Sequence, residues 1–243
     1  MNSFKRDGNN RVIFSPQMKI VELIDADHSL LALLARFDMQ LPFGDVSVEQ
    51  LCERYGVSAE LFLMMCQVYS SAEYTPDVER LQGDDLKSLI NYLKASHSLY
   101  LSEFLPSITD GFERLLERCE PKQRAIVGGF CRGYCEEVEA HLGYEELHLF
   151  PCAERLASGE LCDEPFEVAH SMDEHADICD KIDDIKSILI KYLPESCTTR
   201  ERYSVLCDVF RLSDDLAKHT LLELKILTPL ALKIERRLSD AQM

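Results

Sequence analysis

The stretch HLGYEELHLFP, His141 to Pro151, recurs in outline as HTLLELKILTP, His219 to Pro229. Both stretches read H-x3-E-x5-P, and few of their other letters agree. A spacing of four residues places the histidine and the glutamate on the same face of a helix, one turn apart. The repeated spacing therefore predicts two helices that each present an imidazole and a carboxylate in the same way.

A shift of the chain by 78 residues extends this repeat, because it also places His97 on His175. The apolar face follows the same shift, since Tyr134 falls on Leu212 and Val138 on Leu216. We therefore expect the polar residues of the repeat to point into an apolar interior. These residues are His97, His141, Glu145, His175, His219 and Glu223.

Apolar residues at helical spacing predict four long helices, roughly 84–118, 122–157, 164–192 and 199–238. The breaks between them are short, which predicts an all-α protein with an up-down-up-down four-helix bundle. Measured from turns centred near residues 120, 159 and 196, the four histidines differ in height by about two residues, or about 3 Å. Pro106 lies inside the first helix, where we expect a kink.

Four imidazoles and two carboxylates in an apolar interior need a stabilising partner, because a buried carboxylate is costly unless it is paired or bound to a metal. Two divalent ions meet this need if each binds two histidines and both glutamates bridge the ions. Imidazole and carboxylate ligands suit iron, with manganese as an alternative. The pattern predicts a dinuclear site with positions left for an oxo or hydroxo bridge and a small ligand.

A second pattern, E-x2-H, occurs at Glu145 to His148 and at Glu167 to His170 and is typical of ferritin-like di-iron proteins. In that class the pattern lies on helices two and four, whereas here it falls on helices two and three. The spacing therefore disfavours ferritin-like iron handling but leaves it as an alternative.

Three further residues are candidates for hydrogen bonding around the ligands, namely Tyr100, Tyr134 and His148. Core packing is the alternative for the two tyrosines. For His148 the alternative is a histidine at the rim of the bundle. We expect His28 and His170 at the surface or at helix caps.

The charge and the cysteines limit the function classes. A formal net charge of −17, with 43 acidic and 26 basic residues, disfavours nucleic acid as a partner. The sequence has no long uncharged apolar run that would predict a membrane span and no evident targeting segment, so we expect a cytoplasmic protein. The 10 cysteines are scattered, which indicates reduced, buried thiols rather than a disulfide framework.

Composition divides the chain into four parts. Residues 1–16 are an expected irregular arm, 17–70 a small helical domain, 71–83 a linker and 84–238 the bundle. The segment SVEQLCERYGVSAELFLMM, which begins at Ser47, resembles a DNA-reading helix-turn-helix, but its second helix has no basic residue. DNA binding is therefore disfavoured.

The segments HSLYL, HLGYEELHLFP, MDEH and HTLLELKILTP resemble the hemerythrin-like (HHE cation-binding) domain, and the resemblance covers roughly 84–238. It implies that the six residues of the repeat ligate a non-haem di-iron centre with both glutamates bridging. Oxygen-carrying hemerythrins have an additional histidine and an aspartate bridge, which this sequence lacks. The set of four histidines and two glutamates is similar instead to the iron-sulfur cluster repair di-iron proteins.

The N-terminal region departs from that repair family at its thiols. The family has a paired-cysteine CCGG signature after a helix, whereas this chain has Pro42 and Phe43 at the cysteine positions and retains Gly44. Cys52 is placed like a later cysteine of the family, but one thiol does not make a pair. Chemistry that needs the paired thiols is therefore not implied here.

Two classes of function remain open. In the first, the centre carries out redox chemistry on nitric oxide or oxygen, or supplies iron to a damaged iron-sulfur protein, as the resemblance to the repair family implies. In the second, the centre reversibly binds or senses O2, NO or iron without turnover. The sequence predicts a diatomic ligand in either case.

Overall fold

The computed structural model describes residues 12–164, 166, 169–194, 197 and 199–241, without the side chains of 169–174. Within these ranges the chain forms helices and no strand, apart from an isolated bridge between Lys19 and Ser47. The predicted all-α fold is therefore confirmed. Contacts divide the chain into two compact units, which we describe separately.

Unit one comprises Met1–Leu93, Cys152–Phe166 and Leu221–Met243. Its N-terminal part contains four short helices. Ser47 and Ser58 cap the third and fourth of these, and Gly56 ends the third with a φ of 66°. The four helices are α1 (Ile20–Ala26), α2 (Leu30–Arg36), α3 (Val48–Tyr55) and α4 (Ala59–Ser70).

Long helices follow in the order that the sequence predicts. They are α5 (Gly83–Leu99), α6 (Leu105–Leu116), α7 (Pro121–Tyr144), α8 (Phe150–Ala157), α9 (Ala169–Ser187), α10 (Thr199–Leu222) and α11 (Thr228–Asp240). Within the described ranges, no helix is both long enough and apolar enough to cross a membrane.

Five-residue π-helical segments extend or interrupt these helices at four places. Each segment ends two residues before a proline, which lacks an N–H and whose ring would clash with the carbonyl four residues earlier in an α-helix. Where the helix continues, at Pro106, Pro151 and Pro229, a wider turn accommodates the proline, whereas Pro194 follows the end of its helix. The π segment before Pro106 is what the structure has where we expected a kink. The segments are Tyr100–Phe104, Glu145–Leu149, Ile188–Tyr192 and Glu223–Leu227, before Pro106, Pro151, Pro194 and Pro229.

Two lysines of unit one hold the predicted linker 71–83. Lys233 of α11 is buried, and its Nζ donates to the carbonyl oxygens of Val78, Glu79 and Leu81 at 2.7, 2.6 and 2.8 Å. Lys225 donates in the same way to the carbonyl of Tyr74 at 2.7 Å and to that of Ala72. These contacts fix a segment that includes only a short 3-10 helix, Val78–Arg80.

Unit two comprises Lys94–Pro151 and Glu167–Thr220. Its segments of α5 and α6, α7, α9 and α10 surround one apolar core. The helices approach closely at Gly111 of α6, where an added Cβ would lie 2.6 Å from Cγ2 of Val205. The predicted four-helix arrangement is thus found, with the glycine allowing close packing of α6 and α10.

The cysteines differ in part from the expectation of reduced, buried thiols. Cys152 and Cys162 form a disulfide. The sequence did not predict it, because the cysteines show no recognisable spacing pattern. The other eight are free, and six of these are buried, whereas Cys179 and Cys207 are exposed.

Candidate metal centre

The six polar residues of the sequence repeat are all buried. Each of the helices α5, α7, α9 and α10 contributes one histidine, at positions 97, 141, 175 and 219. Glu145 and Glu223 are the first residues of two π segments and are 0% and 2% exposed. The prediction that these side chains point inward is met by the structure.

The histidines form two pairs. Nε2 of His97 lies 3.1 Å from Nε2 of His219, and their ring centroids are 4.9 Å apart. His141 and His175 meet edge to face, with centroids 4.5 Å apart. Each pair therefore combines one histidine from each half of the repeat.

Glu145 lies between the two pairs. Its Oε1 is 3.2 Å from Nε2 of His141 and 3.5 Å from Nε2 of His175. Its Oε2 is 3.3 Å from Nε2 of His97 and 4.0 Å from Nε2 of His219. One carboxylate oxygen thus faces each histidine pair, which is the arrangement that a bridging ligand needs.

Two groups of potential ligand atoms result, and Glu145 belongs to both. The first consists of His97, Glu145, His219 and Glu223, and the second of His141, Glu145 and His175. Within each group the potential ligand atoms all lie within 4.8 Å of one another. Glu223 follows His219 by one turn on the same helix and joins the first group, and its role as a second bridge stays a prediction.

The histidines control the ionisation of Glu145. Burial alone would raise the pKa of its carboxyl group, but hydrogen bonds from His141, His175 and the other two imidazoles hold this pKa well below its ordinary value. The carboxyl group is therefore a buried anion surrounded by ring nitrogens. A cation is the chemical partner that such a donor set accommodates.

The two tyrosine candidates have different surroundings. Tyr100 is fully buried and meets the ring of His219 edge to face at 5.7 Å. Tyr134 lies in the core of unit two, where burial, followed by the nearby thiols of Cys135, Cys179 and Cys131, raises the pKa of its hydroxyl group. Tyr100 thus contacts a candidate ligand, whereas the surroundings of Tyr134 favour core packing.

His148 is exposed, and its ring packs on that of Tyr144 at 4.8 Å. His148 lies inside a π segment, in which each residue turns the helix through a smaller angle than in an α-helix. The residue three positions after Glu145 is therefore further from the face that Glu145 occupies. This favours the rim histidine over a partner of the ligands. His28 is exposed as expected, whereas Glu167 and the side chain of His170 lie outside the described residues.

Glu146 is a site residue that our sequence analysis missed. Its Oε1 lies 3.1 Å from Nδ1 of His97, on the side of the ring opposite to Nε2. The sequence shows only a second acid beside Glu145, and successive residues of a helix usually point in different directions. That pattern gave no reason to assign it to the site.

The arrangement is found in a chain that matches a known family. The family model described as the hemerythrin HHE cation binding domain matches residues 76–231. The chain belongs to the hemerythrin HHE family. The match contains all six candidate ligands, and cation binding is what the description of the family states. No curated protein matches the chain significantly.

The donor spacing in this hemerythrin HHE domain fits a metal ion. Bonds from metal to imidazole nitrogen are about 2.0–2.1 Å long, so two such ligands at right angles on one ion lie about 3 Å apart. The Nε2 atoms of His97 and His219 are 3.1 Å apart. The residues present therefore suit a metal site formed by imidazoles and carboxylates.

Proposed function

We propose that this hemerythrin HHE domain holds two iron ions, one at each histidine pair. His97 and His219 would bind the first ion, and His141 and His175 the second. The observation that supports two ions is Glu145, whose two oxygens face different pairs. Glu223 would complete the bridge, and manganese is the other metal that this donor set suits.

The count of ligands leaves room for a small molecule. Two ions with about six positions each offer about twelve, of which four histidines and two bridging glutamates fill eight. The remaining positions are open to solvent bridges and one outside ligand. When bound, iron supplies redox chemistry and a site for a diatomic gas.

The protein itself would hold, orient and shield this centre. The ring of His97 stacks on that of Phe150 with centroids 5.1 Å apart and also contacts that of His219. The buried histidines and glutamates have little contact with water, and the surrounding core is apolar. Such a site admits NO or O2 more readily than a larger substrate.

We infer that the protein acts in the response to nitric oxide or oxidative stress or in the repair of iron-sulfur clusters, with an iron-sulfur protein as partner. The support is the set of four histidines and two glutamates. The N-terminal region lacks the thiol pair, so any transfer of iron would proceed without it. The second candidate function is reversible sensing of O2, NO or iron, and the buried histidine pairs support it equally.

One experiment tests these proposals. Protein loaded with ferrous iron under anaerobic conditions is analysed for metal and then exposed separately to NO with a reductant and to O2. We expect about two iron atoms per chain and a changed optical spectrum with either gas. Sustained consumption of NO supports the redox function, and stoichiometric binding supports the sensor. One ion bound by all six side chains would contradict the dinuclear centre, and an unchanged spectrum with both gases would contradict both functions.

A further inference from the structure

We propose that Glu146 is a positioning residue that fixes the tautomer and orientation of His97 and tunes the metal position formed by His97 and His219. This inference rests on the proposed metal centre. It starts from the contact between Oε1 of Glu146 and Nδ1 of His97 at 3.1 Å. The Nε2 atom of the same ring faces the candidate ligands Glu145 at 3.3 Å and His219 at 3.1 Å.

These contacts assign a role to each ring nitrogen. Because the Glu146 carboxylate accepts a hydrogen bond, Nδ1 of His97 carries a hydrogen and is the donor of that bond. With a metal ion bound, Nε2 would be left unprotonated and would offer its lone pair to that ion. A metal-bound histidine commonly donates its other N–H to a carboxylate in this way, which fixes the ring and raises the basicity of the ligand.

Burial makes this control specific to the ring of His97. The imidazole is 2% exposed, whereas the Glu146 side chain is 37% exposed. The ring stacks on that of Phe150, and its Nε2 edge meets His219, so its plane is already constrained. What packing cannot select is which nitrogen points inward, because a flipped imidazole has nearly the same shape. The carboxylate makes that choice.

The adjacent acids Glu145 and Glu146 thus have different tasks. Glu145 faces both histidine pairs, whereas Glu146 contacts one histidine from the outer side. Among the described residues, Glu146 places its negative charge at the pair of His97 and His219. It favours the more oxidised state at the His97 position, because the extra positive charge of that state is better stabilised there.

Three variants separate orientation from charge. Glu146→Ala removes both acceptor and charge, and Glu146→Gln retains an acceptor oxygen without the charge. Glu139→Gln is the matched control, since it removes one negative charge from an exposed position on the preceding helix α7. Circular dichroism verifies that each variant remains folded.

Two measurements are made on the full chain. Nitrogen NMR of the metal-free protein reports the tautomer of His97, and anaerobic titration with ferrous iron, followed by potentiometry, reports affinity and reduction potential. We expect the NMR spectrum of Glu146→Ala to lose the Nδ1–H signal of His97. This variant should bind one of the two iron ions about 10–100-fold more weakly. Glu146→Gln should retain most affinity but raise one reduction potential, and Glu139→Gln should match the natural protein.

The outcomes separate this inference from the proposed function. A natural protein that binds no iron contradicts the metal centre. In that case, loss of the Nδ1–H tautomer in Glu146→Ala would still support the positioning of His97. An unchanged tautomer in Glu146→Ala overturns the positioning role, and unchanged affinity and potentials in both variants overturn the tuning role.

Discussion

His97 and His219 lie with their Nε2 atoms 3.1 Å apart, although 122 residues separate them in sequence. Two neutral rings at this distance can share one hydrogen bond, but a cation bound by both nitrogens satisfies both lone pairs. The same reasoning applies to His141 and His175, whose rings also meet. The four histidines therefore form two spatial pairs rather than four independent side chains.

The first prediction concerns this pairing. His97→Ala and His219→Ala should each lower bound iron by about one ion per chain, because each removes one of two imidazoles from a single ion. The double variant should lose little more than either single one, since both changes affect the same ion. His148→Ala, at the exposed rim, is the control and should bind as much iron as the natural protein. Metal analysis after desalting measures the effect, and additive losses in the double variant would contradict the pairing.

The second prediction distinguishes the two glutamates. Glu145→Gln should weaken iron binding at both positions, because each of its oxygens faces a different histidine pair. Glu223→Gln should weaken the position of His97 and His219 more than the other position, since Glu223 joins the group of that pair and reaches the other ion only through the proposed second bridge. Anaerobic titration monitored optically would show two equally weakened sites for Glu145→Gln and two unequally weakened sites for Glu223→Gln. Identical titrations would indicate that both carboxylates bridge equally.

The sequence predicted that these side chains point into the interior because the 78-residue shift preserves both the residue types and their apolar face, but it did not predict which histidines pair. A helix converts such spacing directly into geometry, so His141 and Glu145 could be placed one turn apart from the letters alone. The positions of the four helices followed for the same reason.

The sequence did not predict the π segments, although a signal was present. Each proline lies two residues after the end of a π segment. In the repeated motif H-x3-E-x5-P, the glutamate begins the π segment and the proline is the one that follows it, at Pro151 and Pro229. A proline signals only that the α-helical hydrogen bond is lost, and a kink or a wider turn both satisfy that condition. The wider turn rotates His148 outward, which is why its assignment remained ambiguous.

Glu146 and Lys233 were missed for a different reason. Each acts through a contact between residues distant in sequence, with His97 in one case and with the carbonyls of residues 78–81 in the other. Helical periodicity reports which face is apolar, but it does not report which polar group meets a buried ring or carbonyl. Such partners require the packed structure.

The third prediction concerns Lys233. Lys233→Met keeps most of the length of the side chain but leaves three backbone carbonyls without their donor, so we expect a loss of about 2–4 kcal/mol in the free energy of unfolding. Lys87→Met is the control, because that lysine is exposed and its contact with Asp84 is long at 3.9 Å. Chemical denaturation measures both. Equal stability of the two variants would show that the carbonyls are hydrated without cost.

The fourth prediction compares two helical glycines. Gly111→Ala should destabilise unit two by about 1–3 kcal/mol, because the new Cβ would overlap Val205. Gly129→Ala should stabilise it by about 0.5–1 kcal/mol, since no atom lies within 4 Å and alanine is the better helix former. Thermal denaturation of both variants gives the sign of each effect. A stabilising Gly111→Ala would mean that Val205 can move aside without loss of packing.

The last prediction tests the proposed boundary between the N-terminal helices and the metal-binding region. Two fragments, residues 76–243 and 84–243, both contain the six candidate ligands. Only the longer one retains the carbonyls of Val78, Glu79 and Leu81 that accept from Lys233. The shorter fragment loses these three hydrogen bonds, each of which contributes about 0.5–1.5 kcal/mol to stability. We therefore expect both fragments to bind about two iron atoms per chain, with the longer fragment unfolding at the higher temperature. Calorimetry and metal analysis of the same samples measure the two properties. A folded 76–243 fragment that binds no iron would show that the N-terminal helices are needed for the centre, and the boundary near residue 84 would then be wrong.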